Sequence, residues 1–416
     1  MSTTTTTNLA IVGCGFVASY YASTLRNDPS LHALSAYDTN PSRLTSFSKT
    51  HSIPAAPSYN SILSDPSISI IVNLTPPSEH ASVSRAALLA GKHVYSEKPL
   101  ALSPDDARDL LTLARQQKLH IAVAPCNFLS ASLQVLARLV RHENAIGTPR
   151  VIYAELDDGP IHQLPYHTWT SAAGAPWPAR TEFRVGCVWE HAAYQLGFLT
   201  AVFGPVASVT ASSHTLVTDK MKGMEKEELG PDFCVAVLTF RNTGVVARLT
   251  IGTVARRNRS LTITGDKGIL RVEDIWDYEA PVQFALSRGE TEIPRSPMLR
   301  VTTSAPERVA ESDSSGTERG IQITPSPPAD APRPYYPNAY RMNQSLGLSE
   351  LASAIRENRR PRMAADHAFH VYEILHALDD AVAEPGRGQR EIGSDFERVE
   401  LMEGVETVAE ECVISW

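Results

Sequence analysis

At 416 residues, with 43% hydrophobic and 20% charged side chains, the chain has the make-up of a soluble globular protein with room for two or three domains. Its formal net charge of −8 argues against nucleic acid as a main partner, since phosphate binding wants a basic surface, and no apolar run approaches the ~18 residues of a membrane-spanning helix. Cys14, Cys126, Cys187, Cys234 and Cys412 are scattered and form no Cys-x-x-Cys pair, which argues for reduced thiols in a cytoplasmic protein and against a zinc site.

Residues 1–8, Ser2 and a run of threonines, have neither the basic region nor the apolar stretch of a signal peptide and are expected to form a disordered lead. The apolar residues 9–12 then read as a buried strand, followed by Gly13-x-Gly15 and a helical run from Phe16. A turn this tight requires Gly13. Gly15 lets a pyrophosphate come close to the backbone, where the N–H groups at the helix start can hold it, and Ala18 takes the third glycine position, as the fingerprint allows. A second apolar stretch, 31–37, ends at Asp38, about 20 residues past the glycines, where a carboxylate accepts from the adenosine ribose 2′-hydroxyl and repels a 2′-phosphate. NAD is therefore the expected cofactor, with Arg43 leaving NADP open.

The alternation continues. Residues 68–74 suit a central parallel strand and run into the turn at Thr75-Pro76; a helix over 78–90 stops at Gly91. A short strand, 93–95, leads into Glu97-Lys98-Pro99, and Ser103-Pro104 opens a helix reaching 117. Residues 119–124 form the next strand. This pattern predicts a doubly wound parallel sheet over 9–127, with its ligand crevice at the carboxyl ends of the strands, where Gly13, Asp38, Thr75, Glu97 and Asn127 all fall.

Beyond Asn127 the pattern changes. A helix is expected over 130–141, a strand over 149–156, an irregular stretch over 157–186 and a helix over 187–203 stopped by Gly204-Pro205. Runs at 206–212, 232–240, 245–251, 260–264 and 269–272, joined by short turns, predict a large, mainly antiparallel open sheet. A mobile loop is expected over about 304–337, and helices over 339–357 and 364–383 close the chain. The fold class is α/β: a Rossmann domain, then a substrate-binding and oligomerisation domain over 128–416.

Gly13-x-Gly15-x-x-Ala18, Asp38, Thr75-Pro76 with His80, Gly91-Lys92-His93-Val94 and above all Glu97-Lys98-Pro99 resemble the glucose-fructose oxidoreductase/inositol dehydrogenase (Gfo/Idh/MocA) family. The resemblance covers most of the chain and is strongest over 9–127. It implies a tightly held NAD or NADP, dimers or tetramers formed through the open sheet, and hydride exchange with a hydroxyl or carbonyl carbon of a sugar, cyclitol or polyol. Gly13, Gly15, Phe16, Val17, Ala18, Asp38, Thr75, Pro76, His80, Glu97, Lys98 and Asn127 form the expected cofactor site.

The resemblance also places Lys98 beside nicotinamide and substrate, where an ammonium favours an alkoxide and lowers neighbouring acid pKa values. The family's Asp-x-x-x-His pair, counted back from Gly204-Pro205, falls on Glu190 and Tyr194, which is a departure. Those two lie on one helix face. Tyrosine as acid/base needs a nearby cation to bring its pKa of ~10 towards neutrality, and Lys98 is the expected source. His191, on another face, is the alternative base. Asp157, His167 and Arg184, from the segment 157–184, are expected to bind substrate, with Arg180 an alternative anchor to Arg184. A metal site at Asp157, His162 and His167 has irregular spacing, and no metal is expected. Two further classes fit the same sequence: an NAD-dependent lyase, hydrolase or epimerase using transient oxidation, and a non-catalytic dinucleotide sensor.

Overall fold

The structure is a computed structural model that describes residues 6–286, 317–325, 341–383, 388–403 and 407–415. Two sheets organise it. The first contains β1 (Thr7–Val12), β2 (Leu31–Tyr37), β3 (Ile70–Asn73), β4 (His93–Ser96) and β5 (Ile121–Val123), all parallel, in the order β2-β1-β3-β4-β5. β3 is central and every residue of it is buried, as a continuous apolar run between two helical layers should be. The helices start at their sequence signals: Asn40 accepts from the Arg43 N–H ahead of Pro41–His51, and Ser103 accepts from the Asp106 N–H ahead of Pro104–Gln117.

The second sheet contains β6 (Pro149–Asp157), β7 (Val206–His214), β8 (Phe233–Phe240), β9 (Val246–Gly252), β10 (Leu261–Gly265), β11 (Gly268–Val272), β12 (Val282–Leu286), β13 (Thr317–Pro325), β14 (Arg390–Glu391) and β15 (Thr407–Ser415), in the order β14-β7-β8-β9-β6-β10-β11-β12-β13-β15. Its pairings are antiparallel except for β6 with β9. Alternation sorts its faces: Cys234, Ala236, Leu238 and Phe240 point into the core, while Val237, Arg248 and Tyr153, neighbours in register, point outward. The helix Ala179–Phe203 packs on the inner face, and Ala365–Ala383 packs beside it.

Several expectations need correction. β1 begins at Thr7, inside the stretch read as a disordered lead; residues 1–5 of that lead lie outside the described residues. β13 lies inside the expected loop over 304–337, whose remaining residues also lie outside the described ones. Its sequence is short and interrupted by Arg319 and Gly320; the strand exists because β12 and β15 pair with it on either side. The first closing helix spans Leu346–Arg356. The helix expected from 187 starts eight residues earlier, at Ala179, and is broken at Gly186, whose φ of 75° and ψ of 178° are not helical.

The end of the chain returns to the first sheet. Ala364 forms an antiparallel bridge with Ala122, the Val123 N–H donates to the Met363 carbonyl at 3.2 Å, and the Ser345 N–H donates to the Thr24 hydroxyl at 3.1 Å. Leu348 and Leu351 are buried in the same core as Leu9 and Ile11.

Candidate active site

Gly13 has φ of 94°, and a Cβ there would lie 2.5 Å from the Leu74 carbonyl oxygen, so the turn after β1 admits only glycine. At Gly15 the opposite holds: a Cβ would meet nothing within 4 Å, which leaves the backbone open on that side. No side chain caps the helix Ala18–Thr24 that follows. An open glycine backbone leading into an uncapped helix start fits a dinucleotide pyrophosphate. Asp38 directly follows β2 and braces this turn. Its carboxylate accepts from the Cys14 N–H and the Asn40 N–H, each at 2.8 Å, and pairs with Arg43 at 3.3 Å.

The loop after β4 is held as tightly. Glu97 accepts from the Tyr21 hydroxyl at 2.8 Å and from the Lys98 N–H at 3.0 Å. Asn73 accepts from the Thr75 hydroxyl at 2.6 Å. His80, expected at the cofactor, is buried with its ring nitrogens 2.6 Å from the Pro99 carbonyl oxygen and 2.8 Å from that of Thr75. Both nitrogens face protein, so His80 ties the Thr75 and Pro99 turns together instead of meeting a ligand. Phe16 and Val17 lie at the helix start, Phe16 packing edge-on against Tyr20, and Pro76 is exposed beside Thr75.

The two sheets meet at Lys98. Its ammonium is 2.6 Å from Glu190 on the helix Ala179–Phe203. Tyr194, one turn further on, sets its ring against Trp276 at 5.2 Å, and the buried Asn127 amide donates to the Tyr194 carbonyl at 3.0 Å. His191 also packs edge-on against Trp276 at 5.7 Å, and its buried Nδ1 has no hydrogen-bond partner. Behind them Arg259 lies over the Trp276 ring at 4.5 Å and bonds to Asp158 at 3.0 Å. A fourth ionisable group adds to the cluster: Glu182 lies within electrostatic reach of Glu190 and Lys98.

Charge is distributed unevenly among these groups. Burial opposes the Lys98 charge, but Glu190 and the other acidic groups outweigh it, so the lysine pKa is raised. Burial likewise opposes the Glu190 carboxylate, and the charge and hydrogen bond of Lys98 hold it ionised, below the usual range. Burial and the adjacent Glu190 push Glu182 well up. Burial also raises Tyr194 and exceeds the opposing pull of Lys98. The expectation that Lys98 makes a phenolate accessible near neutrality is therefore corrected: the tyrosine stands protonated, because desolvation is the larger effect. Burial lowers His191, leaving a neutral imidazole.

The three expected substrate residues are not drawn into this cluster. Asp157 is buried at the end of β6, accepting from the Gly159 N–H at 3.1 Å. His167 is exposed beside Tyr166, and Arg184 is exposed and pairs with Glu228 at 2.9 Å, as Arg180 also does. Sequence reasoning missed Glu182, Trp276 and Arg259. Glu182 had a readable signal, its spacing through Gly186 to Glu190, which the irregular reading of 157–186 concealed.

The description "Oxidoreductase family, NAD-binding Rossmann fold" matches residues 7–124, and "GFO/IDH/MocA C-terminal domain" matches residues 134–271. Trans-1,2-dihydrobenzene-1,2-diol dehydrogenase of Bos taurus is 26% identical over 293 residues, covering 69% of this chain and 79% of that protein. An uncharacterized oxidoreductase of Synechocystis is 26% identical over 282 residues, 65% and 73% of the two chains. In fold, the chain is similar to an NAD binding oxidoreductase from Klebsiella pneumoniae (TM-score 0.73, 16% identity, 94% of this chain and 100% of that one). It is similar too to a levoglucosan dehydrogenase in complex with NADH and levoglucosan (TM-score 0.72, 15% identity, 94% and 100%).

Proposed function

The chain belongs to the Gfo/Idh/MocA family of NAD-binding oxidoreductases, and from that premise we propose that it moves hydride between NAD and a hydroxyl or carbonyl carbon of a sugar-, cyclitol- or polyol-like molecule held between its two sheets. The observation that carries this reading is the Lys98–Glu190 contact of 2.6 Å, with Tyr194 one helical turn beyond it. The glycine turn and Asp38 would hold the dinucleotide, which when bound supplies the hydride acceptor or donor. The chain's own groups handle the proton. Lys98 places positive charge where an alkoxide develops, Glu190 keeps the lysine aimed, and the Tyr194 hydroxyl gives or takes the proton of the substrate oxygen.

The test is NADH formation from NAD with trans-1,2-dihydrobenzene-1,2-diol, myo-inositol and levoglucosan, substrates suggested by the names of similar proteins. NADH accumulating with at least one is the expected result. Conversion of a substrate without NADH accumulation would move the protein to the lyase, hydrolase or epimerase class, and NADH binding without turnover across a broad panel of hydroxy compounds would make it a sensor.

Asp38 favours NAD over NADP in this reading. Asp38→Ala should weaken NADH binding by about tenfold, one charge-assisted hydrogen bond's worth, and narrow its advantage over NADPH. Fluorescence titration of both cofactors measures this; equal affinity of the unmodified protein for the two would remove the assignment.

We also propose that the protein self-associates, as a dimer or tetramer, through the outer face of the second sheet. There Tyr153 and Val237 are 41% and 44% exposed on either side of Arg248, which stacks over the Tyr153 ring at 4.8 Å. Light scattering at micromolar concentration should show an oligomer; a monomer would exclude this face as a stable interface.

A further inference from the structure

We propose that the hairpin 169–177 is part of the cofactor site: Ser46 latches it across the track of the dinucleotide, and the latch governs how fast NAD enters and leaves. This rests on the cofactor half of the reading above, and not on which substrate is turned over.

Placement is the first support. The expected track runs from Asp38, past the open backbone of Gly15, to Lys98. The second half of the chain touches the first at both ends of it. At the nicotinamide end Glu190 meets Lys98 at 2.6 Å. At the adenosine end the Ser46 hydroxyl donates to the Ala173 carbonyl at 2.6 Å. Ser46 lies on the helix Pro41–His51, one turn beyond Arg43, which is the partner of Asp38. Ala173 and Glu190 belong to one run of chain between β6 and β7, so that run bridges the crevice from end to end.

The form of the hairpin is the second. Its arms are joined by a bridge between Thr170 and Pro176 and by the Trp177 N–H, which donates to the Trp169 carbonyl at 2.9 Å. Its base is fixed among rings: Trp177 packs edge-on against Trp169 at 5.2 Å and against Tyr166 and Phe183, each at 5.8 Å. Ser171 closes the turn, its N–H donating to the Ala175 carbonyl at 2.8 Å and its hydroxyl accepting from the Ala175 N–H at 3.1 Å. Burial then alternates along the tip. Ser171, Ala173 and Ala175 are buried, while Ala172, Gly174 and Pro176 are exposed. Loop tips ordinarily stand in water. This one lies as a strap, with one edge down on the protein.

Tip and base are held unequally. Packed rings fix the base, whereas the tip is held to the first half by the hydroxyl of Ser46, an exposed residue. A hydrogen bond that water can replace contributes little net stability, so such a contact opens often. Lifting the tip frees the adenosine end of the crevice while Lys98 and Glu190 stay paired. A latch of this kind is a barrier that the cofactor crosses in both directions. Its loss speeds entry and exit together and leaves affinity nearly unchanged.

Stopped-flow fluorescence of NADH with the full chain tests this without a substrate. Ser46→Ala should raise the association and dissociation rates together by about three- to tenfold, the worth of one hydrogen bond, with Kd changed by less than about threefold. Ser46→Thr, which keeps the hydroxyl, should match the unmodified protein. A cross-link gives the converse. Cys14, Cys126, Cys187 and Cys234 are buried, so in a Cys412→Ser background a short bis-maleimide can join Ser46→Cys to Ala172→Cys, both at exposed positions. Joined after loading, the protein should retain NADH; joined before, it should exclude it. Unchanged rates in Ser46→Ala, free exchange through the cross-link, or failure of the two thiols to join would each overturn the proposal. Faster exit with unchanged entry would also overturn it, making Ser46 a support of the bound state instead of a latch. An unmodified protein that binds no NADH would remove the cofactor reading itself.

Discussion

Tyr194→Phe is expected to lower turnover by about 10²–10⁴-fold, the usual loss when a general acid or base is removed, with NADH still bound. The change deletes one oxygen and keeps the ring that packs on Trp276, so the wall of the site should survive. Lys98→Ala should fall at least as far, because Tyr194 and Glu190 then face each other without a cation. His191→Ala should be far milder: its ring packs edge-on against Trp276, and the Lys98–Glu190 pair forms without it. If Tyr194→Phe keeps nearly full rate while His191→Ala abolishes it, the acid/base is His191. The raised pKa of Tyr194 also fixes a direction with pH. A protonated phenol is ready to donate, so carbonyl reduction should run at neutral pH, while alcohol oxidation should speed up as pH rises.

Gly186→Ala is expected to cost about 3 kcal/mol or more of stability, seen as a lower denaturant midpoint. Its φ of 75° with ψ of 178° is a region that other residues enter at about 1–3 kcal/mol, and the added methyl overlaps the Pro231 backbone. Turnover should fall as well, since Glu190, which pairs with Lys98, lies one turn past the break. Gly197→Ala, on the same helix, is the control. A Cβ there meets nothing within 4 Å, and alanine should be neutral or stabilising by up to about 1 kcal/mol. Equal stability of the two variants would show that the break at 186 is tolerated rather than enforced.

The first half of the fold was readable because its signals are local. A glycine turn, a carboxylate after β2 and the Glu-Lys-Pro run each announce themselves within a few residues of a strand end. Lys98 was legible for the same reason and Glu190 through the family resemblance, yet their direct pairing depends on how the two sheets dock, and no local pattern encodes that. The state of Tyr194 was misread because burial was unknown, and in the folded chain burial outweighs the lysine's charge. His80 was placed at the cofactor through the family resemblance; only the fold sets a carbonyl against each nitrogen. β13 and β15 were missed because their neighbours in the sheet lie far off in sequence, and Glu182 because the aromatic- and proline-rich residues before it hid the helix start.

The return of the chain end to the first sheet bears on how the protein is made. Ser345, Leu348, Leu351, Met363 and Ala364 close the side of that sheet formed by Thr24, Leu9, Ile11, Ala122 and Val123. All five strands of the nucleotide-binding half leave the ribosome more than 200 residues before these partners do. Until then the half-made chain carries an open apolar flank and needs shelter from aggregation. A fragment ending near residue 127, expressed alone, should therefore be insoluble or molten, and adding a separate piece from 341 onward should restore it only when the intervening sheet is present to hold that piece in place.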